Sequence, residues 1–390
     1  MQKKRYLTSF IIEDLHDKMV FVGGPRQVGK TTLCRDLVAT HFPNYAYFNW
    51  DNKADRKTIF ACAWPGNASL LVLDEIHKYR QWKRLIKGEY DTLKGTYQFL
   101  VTGSARLDLY RRGGDSLQGR YHYYRLHPFT LAETEDIACV LSPFKELPLE
   151  TKECQNTLEI LDTFGGFPEP FTQQNHRQLR RWHNEKIDRM FREDIREIEP
   201  IRDISNMRCL SDLLSSKVGA LLSLNAIRED LSVSFRAISH WMNILETFYY
   251  HFRIYPFAGK KIRSLKKEPK LYLWDWSEIE NDAARFENLI ASHLLKFVHF
   301  ICDYEGFRAD LYFLRDQDKR EVDFLITIDN KPWFAVEVKL NDTTSSPHLL
   351  YFKERLSIPF VYQVIKKSGV DFVEKGVRVV SAGKFLLALI

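Results

Sequence analysis

Met19-Val20-Phe21-Val22-Gly23-Gly24-Pro25-Arg26-Gln27-Val28-Gly29-Lys30-Thr31-Thr32 is the stretch on which the reading of this chain turns. A short apolar, β-branched run is followed by G-x-x-x-x-G-K-[ST], matched in full from Gly24 to Thr31. An apolar strand that opens into this loop and then into a helix (Thr32 to Thr40) predicts a backbone cup for phosphate. Gly24 and Gly29 let the loop of Pro25, Arg26, Gln27 and Val28 wrap a phosphate without a Cβ clash, and the helix start at Thr32 adds partial positive charge. Lys30 is placed to reach the β and γ phosphates of ATP, and Thr31 to ligate Mg²⁺.

Working outward, Leu70-Leu71-Val72-Leu73 reads as a buried strand that ends in Asp74-Glu75. Parallel α/β sheets place ligands at the carboxyl ends of their strands. Asp74 there is expected in the Mg²⁺ shell, and Glu75 is expected to orient and deprotonate an attacking water. The next strand ends in Leu100-Val101-Thr102-Gly103-Ser104. Thr102 and Ser104 both qualify to read the state of the γ-phosphate, and the sequence does not choose between them. Gly119-Arg120 precedes the strand-like run Tyr121 to Leu126, so Arg120 is a candidate finger onto a neighbouring subunit's ATP, with Arg111 and Arg112 as competitors.

Met19 to Val22, Tyr45 to Phe48, Leu70 to Leu73 and Phe99 to Val101 are apolar strands that alternate with helical patterns. That alternation predicts an α/β fold around a parallel sheet covered on both faces. Apolar residues make up 45% of the 390 and charged residues 28%, which excludes a mainly disordered chain. A net charge of +6 permits a nucleic-acid partner without demanding one. No apolar run is long enough to span a bilayer, so no membrane partner is expected. Cys34, Cys62, Cys139, Cys154, Cys209 and Cys302 are scattered without a CxxC pair, which suits a reducing, cytoplasmic setting and no disulfide frame.

The segments GPRQVGKTT (24–32), LLVLDEIH (70–77), LVTGSAR (100–106) and SLQGRYHYYRLHPFTLAE (116–133) resemble the AAA-type P-loop ATPases of bacteria and archaea that carry a further C-terminal domain. The likeness continues through GGFPEP (165–170), LETFYYHFRIYPF (245–257) and KLYLWDW (270–276). The resemblance implies an AAA+ core, a helical lid, a winged-helix-like segment and a terminal domain similar to restriction-type nucleases. His77 is a departure, where relatives often have Gln, and it puts the local polar contact in question. The boundaries expected are 1–140 for the ATPase core, 141–265 for the lid and winged-helix segment, and 266–390 for the terminal domain.

Within the middle segment, Asn225 to Leu231 and Phe235 to Tyr249 read as two helices joined at Ser232-Val233-Ser234. Ile238, Trp241, Met242, Leu245 and Phe248 have core spacing, which leaves Arg236, Ser239, His240 and Asn243 on the face a recognition helix would present to DNA. Residues 260–270 hold Lys260, Lys261, Arg263, Lys266, Lys267 and Lys270 against Glu268 alone, a cluster able to grip DNA or RNA phosphates.

In the terminal segment, Asp323 lies in Glu321-Val322-Asp323-Phe324-Leu325, and Glu337-Val338-Lys339 ends the next strand-like run. Strand alternation puts Glu337 and Lys339 on one face. Two carboxylates can hold Mg²⁺, with the lysine beside them stabilising developing charge. Glu287, on the helical stretch Phe286 to Phe297, is expected to complete the metal shell, and Gln363 faces the same pocket. This set resembles the PD-(D/E)XK nuclease core. The expectation is an Mg²⁺-dependent ATP hydrolase whose nucleotide state gates a nuclease-like module on nucleic acid, with Arg120 implying a homo-oligomer. The alternative is a nucleotide-dependent switch whose terminal domain binds DNA or a protein partner without cleavage.

Overall fold

A computed structural model describes residues 3–103, 117–137, 141–149, 152–195, 203–258 and 267–390. The chain divides into two compact units, Met1–His127 and Pro128–Ile390.

The first unit is built on five parallel strands, β1 (Met19–Gly23), β2 (Tyr45–Asn49), β3 (Leu70–Asp74), β4 (Gln98–Thr102) and β5 (Tyr121–Arg125), in the order β2-β3-β4-β1-β5. Every residue of β1 and β3 is buried, as their unbroken apolar runs predict for a sheet covered on both faces. On one face, Phe21, Leu71, Leu73, Phe99 and Val101 pack with Ile59 of the helix Lys53–Ala61 and with Trp82, Ile86 and Tyr90 of the helix Trp82–Leu93. The helix Thr8–Asp14 lies against β1 and against Thr32–Val38, the turn of helix that follows the Gly-rich loop. That turn is wound in the wide π form, a departure from the plain α-helix expected there. Register aligns Asn49, Asp74, Thr102, Val22 and Tyr124 in one row across all five strands. The loop leaves β1 one residue beyond that row, so the strand ends and the loop share one edge of the sheet.

The second unit carries an eight-stranded mixed sheet. Its strands are β6 (His251–Pro256), β7 (Lys270–Leu273), β8 (Ala309–Arg315), β9 (Glu321–Ile328), β10 (Lys331–Lys339), β11 (Phe360–Ile365), β12 (Asp371–Glu374) and β13 (Val377–Ser381), in the order β12-β13-β11-β10-β9-β8-β6-β7. β8, β9 and β10 form an antiparallel meander, and β10 pairs parallel with β11 after the helix Pro347–Leu356. Leu349 and Phe352 of that helix cover one face with Leu314, Val322, Leu325 and Ala335. The long helix Asp282–Asp303 contacts β7, β8 and β10. β6 falls inside the stretch read as helical, yet it pairs with β7 and β8, so the middle and terminal stretches contribute to one sheet. Its burial alternates from Phe252 to Pro256, in a strand only six residues long that closely follows a helix.

The two helices of the middle stretch form as Leu224–Asp230 and Phe235–Thr247, the second capped by the Ser234 side chain. Ile238, Trp241, Met242 and Leu245 are buried, and Arg236, His240 and Asn243 are exposed. Phe385 to Ile390 are buried, as their apolar character implies. The buried Lys296 donates to Glu133 (2.6 Å) and Thr130 (2.9 Å).

His293 and His251 are fully enclosed in the same unit. His293 Nε2 accepts from the Leu131 amide at 3.1 Å, and its other ring nitrogen lies 2.8 Å from the Leu289 carbonyl. Burial pushes His293 down to about 3 and His251 to about 4. Both are therefore neutral when folded, while the unfolded chain takes up protons near pH 6.5. A depressed folded value stabilises above the unfolded pKa and is lost as pH falls toward the folded one, at about 1.4 kcal/mol per unit of separation. Between pH 6.5 and pH 4 we expect the parent protein to lose unfolding free energy relative to His293→Gln, when both are followed by denaturant titration across that range; a difference that stays constant with pH would contradict the assignment.

Candidate nucleotide site and carboxylate cluster

At the edge where β1, β3 and β4 end, the loop takes the backbone that its glycines permit. Gly24 has φ +141°, and a Cβ there would lie 2.5 Å from the Leu126 carbonyl oxygen, so no side chain fits. Gly29 has φ +95° and Gln27 φ +61°. Lys30 is buried, with Nζ arched back across the loop to donate to the carbonyls of Gly24 (3.0 Å) and Pro25 (2.6 Å). Val28 is buried and its carbonyl accepts from Arg5 at 2.7 Å. The same guanidinium donates to the His127 carbonyl at 2.6 Å, so Arg5 ties the loop to the end of the segment after β5. Arg5 carries no motif signal; it reads in sequence as one more base of a basic N-terminus.

The register row brings Thr31 and Asp74 together. The Thr31 hydroxyl donates to Asp74 at 2.8 Å, and the Tyr47 phenol from β2 donates to the same carboxylate oxygen at 2.7 Å. Asp74 is 2% exposed, and burial holds its pKa above the usual carboxylate range against the two hydrogen bonds. Two hard oxygen donors meeting at one point fit Mg²⁺. Tyr47 was not singled out, because a tyrosine in a strand reads as packing until register shows what lies beside it.

Glu75 follows with φ +57°, a left-handed conformation that costs a non-glycine residue about 1 kcal/mol or more. Its amide donates to the Thr102 carbonyl at 2.9 Å, which fixes the turn. Its carboxylate lies 3.5 Å from Lys78 Nζ and 3.6 Å from Nε2 of the buried His77, which gives His77 its local contact. Thr102 is wholly buried beside Asp74, and its hydroxyl has no hydrogen-bond partner among the described residues. Ser104, Arg111 and Arg112 lie outside the described residues. Arg120 stands at the other end of the strands, where its carbonyl pairs with Met19, and its guanidinium is held by Asp91 at 2.7 and 3.1 Å. It is not part of the loop edge within this chain.

The carboxylates of the second unit do assemble, with a cation among them that the sequence reading put elsewhere. Lys270 belongs in sequence to the basic cluster 260–270, but it is 3% exposed and lies inside the unit. Its Nζ is 2.7 Å from Glu321, 3.4 Å from Asp323 and 3.5 Å from Glu287. The physical reason is β7, which pairs Lys270 with Ile254 and points its side chain at the helix and at β9. Lys260, Lys261, Arg263 and Lys266 lie outside the described residues, and Lys267 is exposed.

Glu287 also accepts from Tyr272 at 2.7 Å, and Asp323 accepts from the Val338 amide at 2.9 Å. Glu337 pairs with Lys339 at 2.7 Å, while its second oxygen is buried with no hydrogen-bond partner among the described residues. Burial and the adjacent Asp323 push both Glu287 and Glu337 up to about 7. Burial alone would lower Lys270, but Glu287, Asp323 and Glu321 hold it above its ordinary value. Gln363 does not open onto a pocket; it is fully buried, accepting from the Ser346 amide and donating to the carbonyls of Asp342 and Thr344.

Among the described residues, the one group of carboxylate and histidine atoms close enough together to share an ion is His183, Asp275 and Glu278. Lys186 occupies it, at 2.7 Å from Asp275 and 2.6 Å from Glu278. Glu287, Asp323 and Glu337 do not converge in that way. The expected three-carboxylate Mg²⁺ shell therefore does not fit the residues as placed.

No helix of the described residues is long and apolar enough to cross a membrane. Compared with known proteins, the chain is 22% identical over 339 residues to an uncharacterized protein of Mycobacterium tuberculosis, covering 84% of this chain and 71% of that protein. It is 22% identical over 367 residues to an uncharacterized protein of Methanocaldococcus jannaschii, covering 88% and 80%. Among solved structures, the Thermotoga maritima RuvB Holliday junction branch migration motor aligns with 64% of this chain and 90% of its own, at TM-score 0.32 and 16% identity. Family models of two domains of unknown function, DUF8612 and DUF4143, match residues 157–278 and 283–385. Residues 16–135, which hold the loop and all five parallel strands, match the family model of an AAA domain.

Proposed function

We propose that the first unit binds ATP with Mg²⁺ at residues 24–32 and hydrolyses it, and that nucleotide state governs how the second unit engages a nucleic acid. The observation that carries this reading is the row Asp74–Thr102–Val22 beside the loop. It puts Thr31, Asp74 and Thr102 at one strand edge with Lys30 a few atoms away. In this reading Lys30 exchanges the Gly24 and Pro25 carbonyls for phosphate oxygens. Thr31 and Asp74 hold Mg²⁺, which neutralises charge on the β and γ phosphates when bound. Glu75 orients the attacking water, and the Thr102 hydroxyl reports the γ-phosphate. Differential contact with that phosphate is what a nucleotide switch requires. An oligomer in which Arg120 leaves Asp91 for a neighbour's phosphate belongs to the same proposal, since exposed ion pairs exchange at a cost of at most about 1 kcal/mol.

For the second unit, nucleic acid is proposed to meet the exposed face of Phe235–Thr247 and the basic stretch 260–267. Of the two readings for its carboxylates, docking without cleavage is favoured by Lys270, whose ammonium already sits among Glu287, Glu321 and Asp323.

Lys30→Ala is expected to lower ATP turnover by at least about a hundredfold. Steady-state phosphate release measures this, and turnover equal to the parent protein would refute the site. Arg5→Met removes two charge-assisted hydrogen bonds behind the loop and touches no phosphate. It should raise KM for ATP by about tenfold while leaving kcat nearly unchanged. A kcat loss with unchanged KM would instead assign Arg5 a part in the chemistry.

A further inference from the structure

We propose that Lys270 is the resident cation of the second unit's carboxylate cluster, neutralising Glu287, Glu321 and Asp323 so that no divalent metal joins them. The inference rests on the docking reading of that unit and says why it docks rather than cuts.

Lys270 opens β7, where its backbone pairs with Ile254 on one side and bridges to Leu221 on the other. The Pro269 carbonyl accepts from the Leu222 amide at 2.8 Å, and the Leu271 carbonyl from the Gly219 amide at 3.0 Å. Backbone held on both edges cannot slip by a residue, so the side chain keeps its face. The Phe313 ring lies 5.7 Å from Nζ and closes the space beside it.

Three carboxylates from two elements then converge on one ammonium: Glu287 from the helix Asp282–Asp303, and Glu321 and Asp323 from β9. An ammonium donates three hydrogen bonds at ordinary distances, whereas Mg²⁺ demands octahedral oxygen at about 2.1 Å and keeps several waters. Glu321 makes the short contact with the ammonium, at 2.7 Å, and Asp323 spends its other oxygen on the Val338 amide. Lys339, the lysine of the E-x-K pattern, is itself bound to Glu337. Entry of a dication requires Lys270 to leave a buried position, or two cations to share one pocket, and both are costly.

A second cluster repeats the arrangement. Lys186 sits between Asp275 and Glu278 as Lys270 sits among its acids. This unit neutralises buried carboxylates with its own lysines.

The test uses the full chain without nucleotide, in an Asp74→Asn background that removes the metal ligand of the first unit. Mn²⁺ binding is followed by the electron paramagnetic resonance of the free ion. The account predicts no Mn²⁺ binding that Asp323→Asn abolishes. Amide exchange over 309–339 should be the same with Mn²⁺ or with chelator. In Lys270→Met the account predicts faster exchange over 309–339 that Mn²⁺ slows again. Should that variant fail to fold, the Mn²⁺ titration of the protein with Lys270 in place still decides. Mn²⁺ bound by that protein and lost in Asp323→Asn would overturn the proposal, as would metal-dependent cleavage of DNA or RNA lost in Asp323→Asn. Failure of the docking reading is separate: it is the absence of nucleic-acid binding in a salt series, whatever the Mn²⁺ result.

Discussion

A carboxylate that leaves water must be met by donors, and both sites of this chain are shaped by how that demand is met. Asp74 is held by two neutral hydroxyls, those of Thr31 and Tyr47. Hydroxyls are weak enough partners to be exchanged and are themselves oxygen ligands. The carboxylates of the second unit are held by ammonium groups: Lys270 for Glu287, Glu321 and Asp323, and Lys186 for Asp275 and Glu278. An ammonium meets the same electrostatic demand with a full charge of its own. The carboxylates of the two units, alike in residue type, thus differ in the partners that hold them.

The first unit turns this into geometry through strand register. Asn49, Asp74, Thr102, Val22 and Tyr124 are neighbours because five parallel strands are in step. Gly24 can pass under the Leu126 carbonyl only without a Cβ, and Arg5 fastens the loop from behind through the Val28 carbonyl. The strained backbone of Glu75 sits at the same edge, held by the Thr102 carbonyl. Strain that persists beside a site is usually held by its surroundings for a use.

The loop and the strand before it were legible because the chemistry is written in consecutive residues: two glycines, a lysine and a threonine at fixed spacing. Asp74 was legible because it ends an unbroken apolar run. Tyr47 and Arg5 were not, since their roles depend on which strand lies beside which and on a carbonyl 23 residues away. The order of helix, strands, helix and strand around Glu287, Asp323 and Glu337 was legible from their apolar runs. What the sequence hid was Lys270. A lysine in a run of lysines reads as a surface charge, and only the pairing of β7 with β6 turns it inward. β6 is hard to read because its period of two spans only Phe252 to Pro256 and follows closely on the helix Phe235–Thr247.

The claim on which the account depends most is that the backbone from Gly24 to Thr32 closes around a triphosphate. Hydrogen exchange of peptides spanning residues 22–33, measured with and without Mg·ATP, reads this without requiring turnover. The account predicts slowed exchange across those amides on adding Mg·ATP, with Thr31→Ala weakening the effect. Exchange unchanged by saturating nucleotide would contradict it.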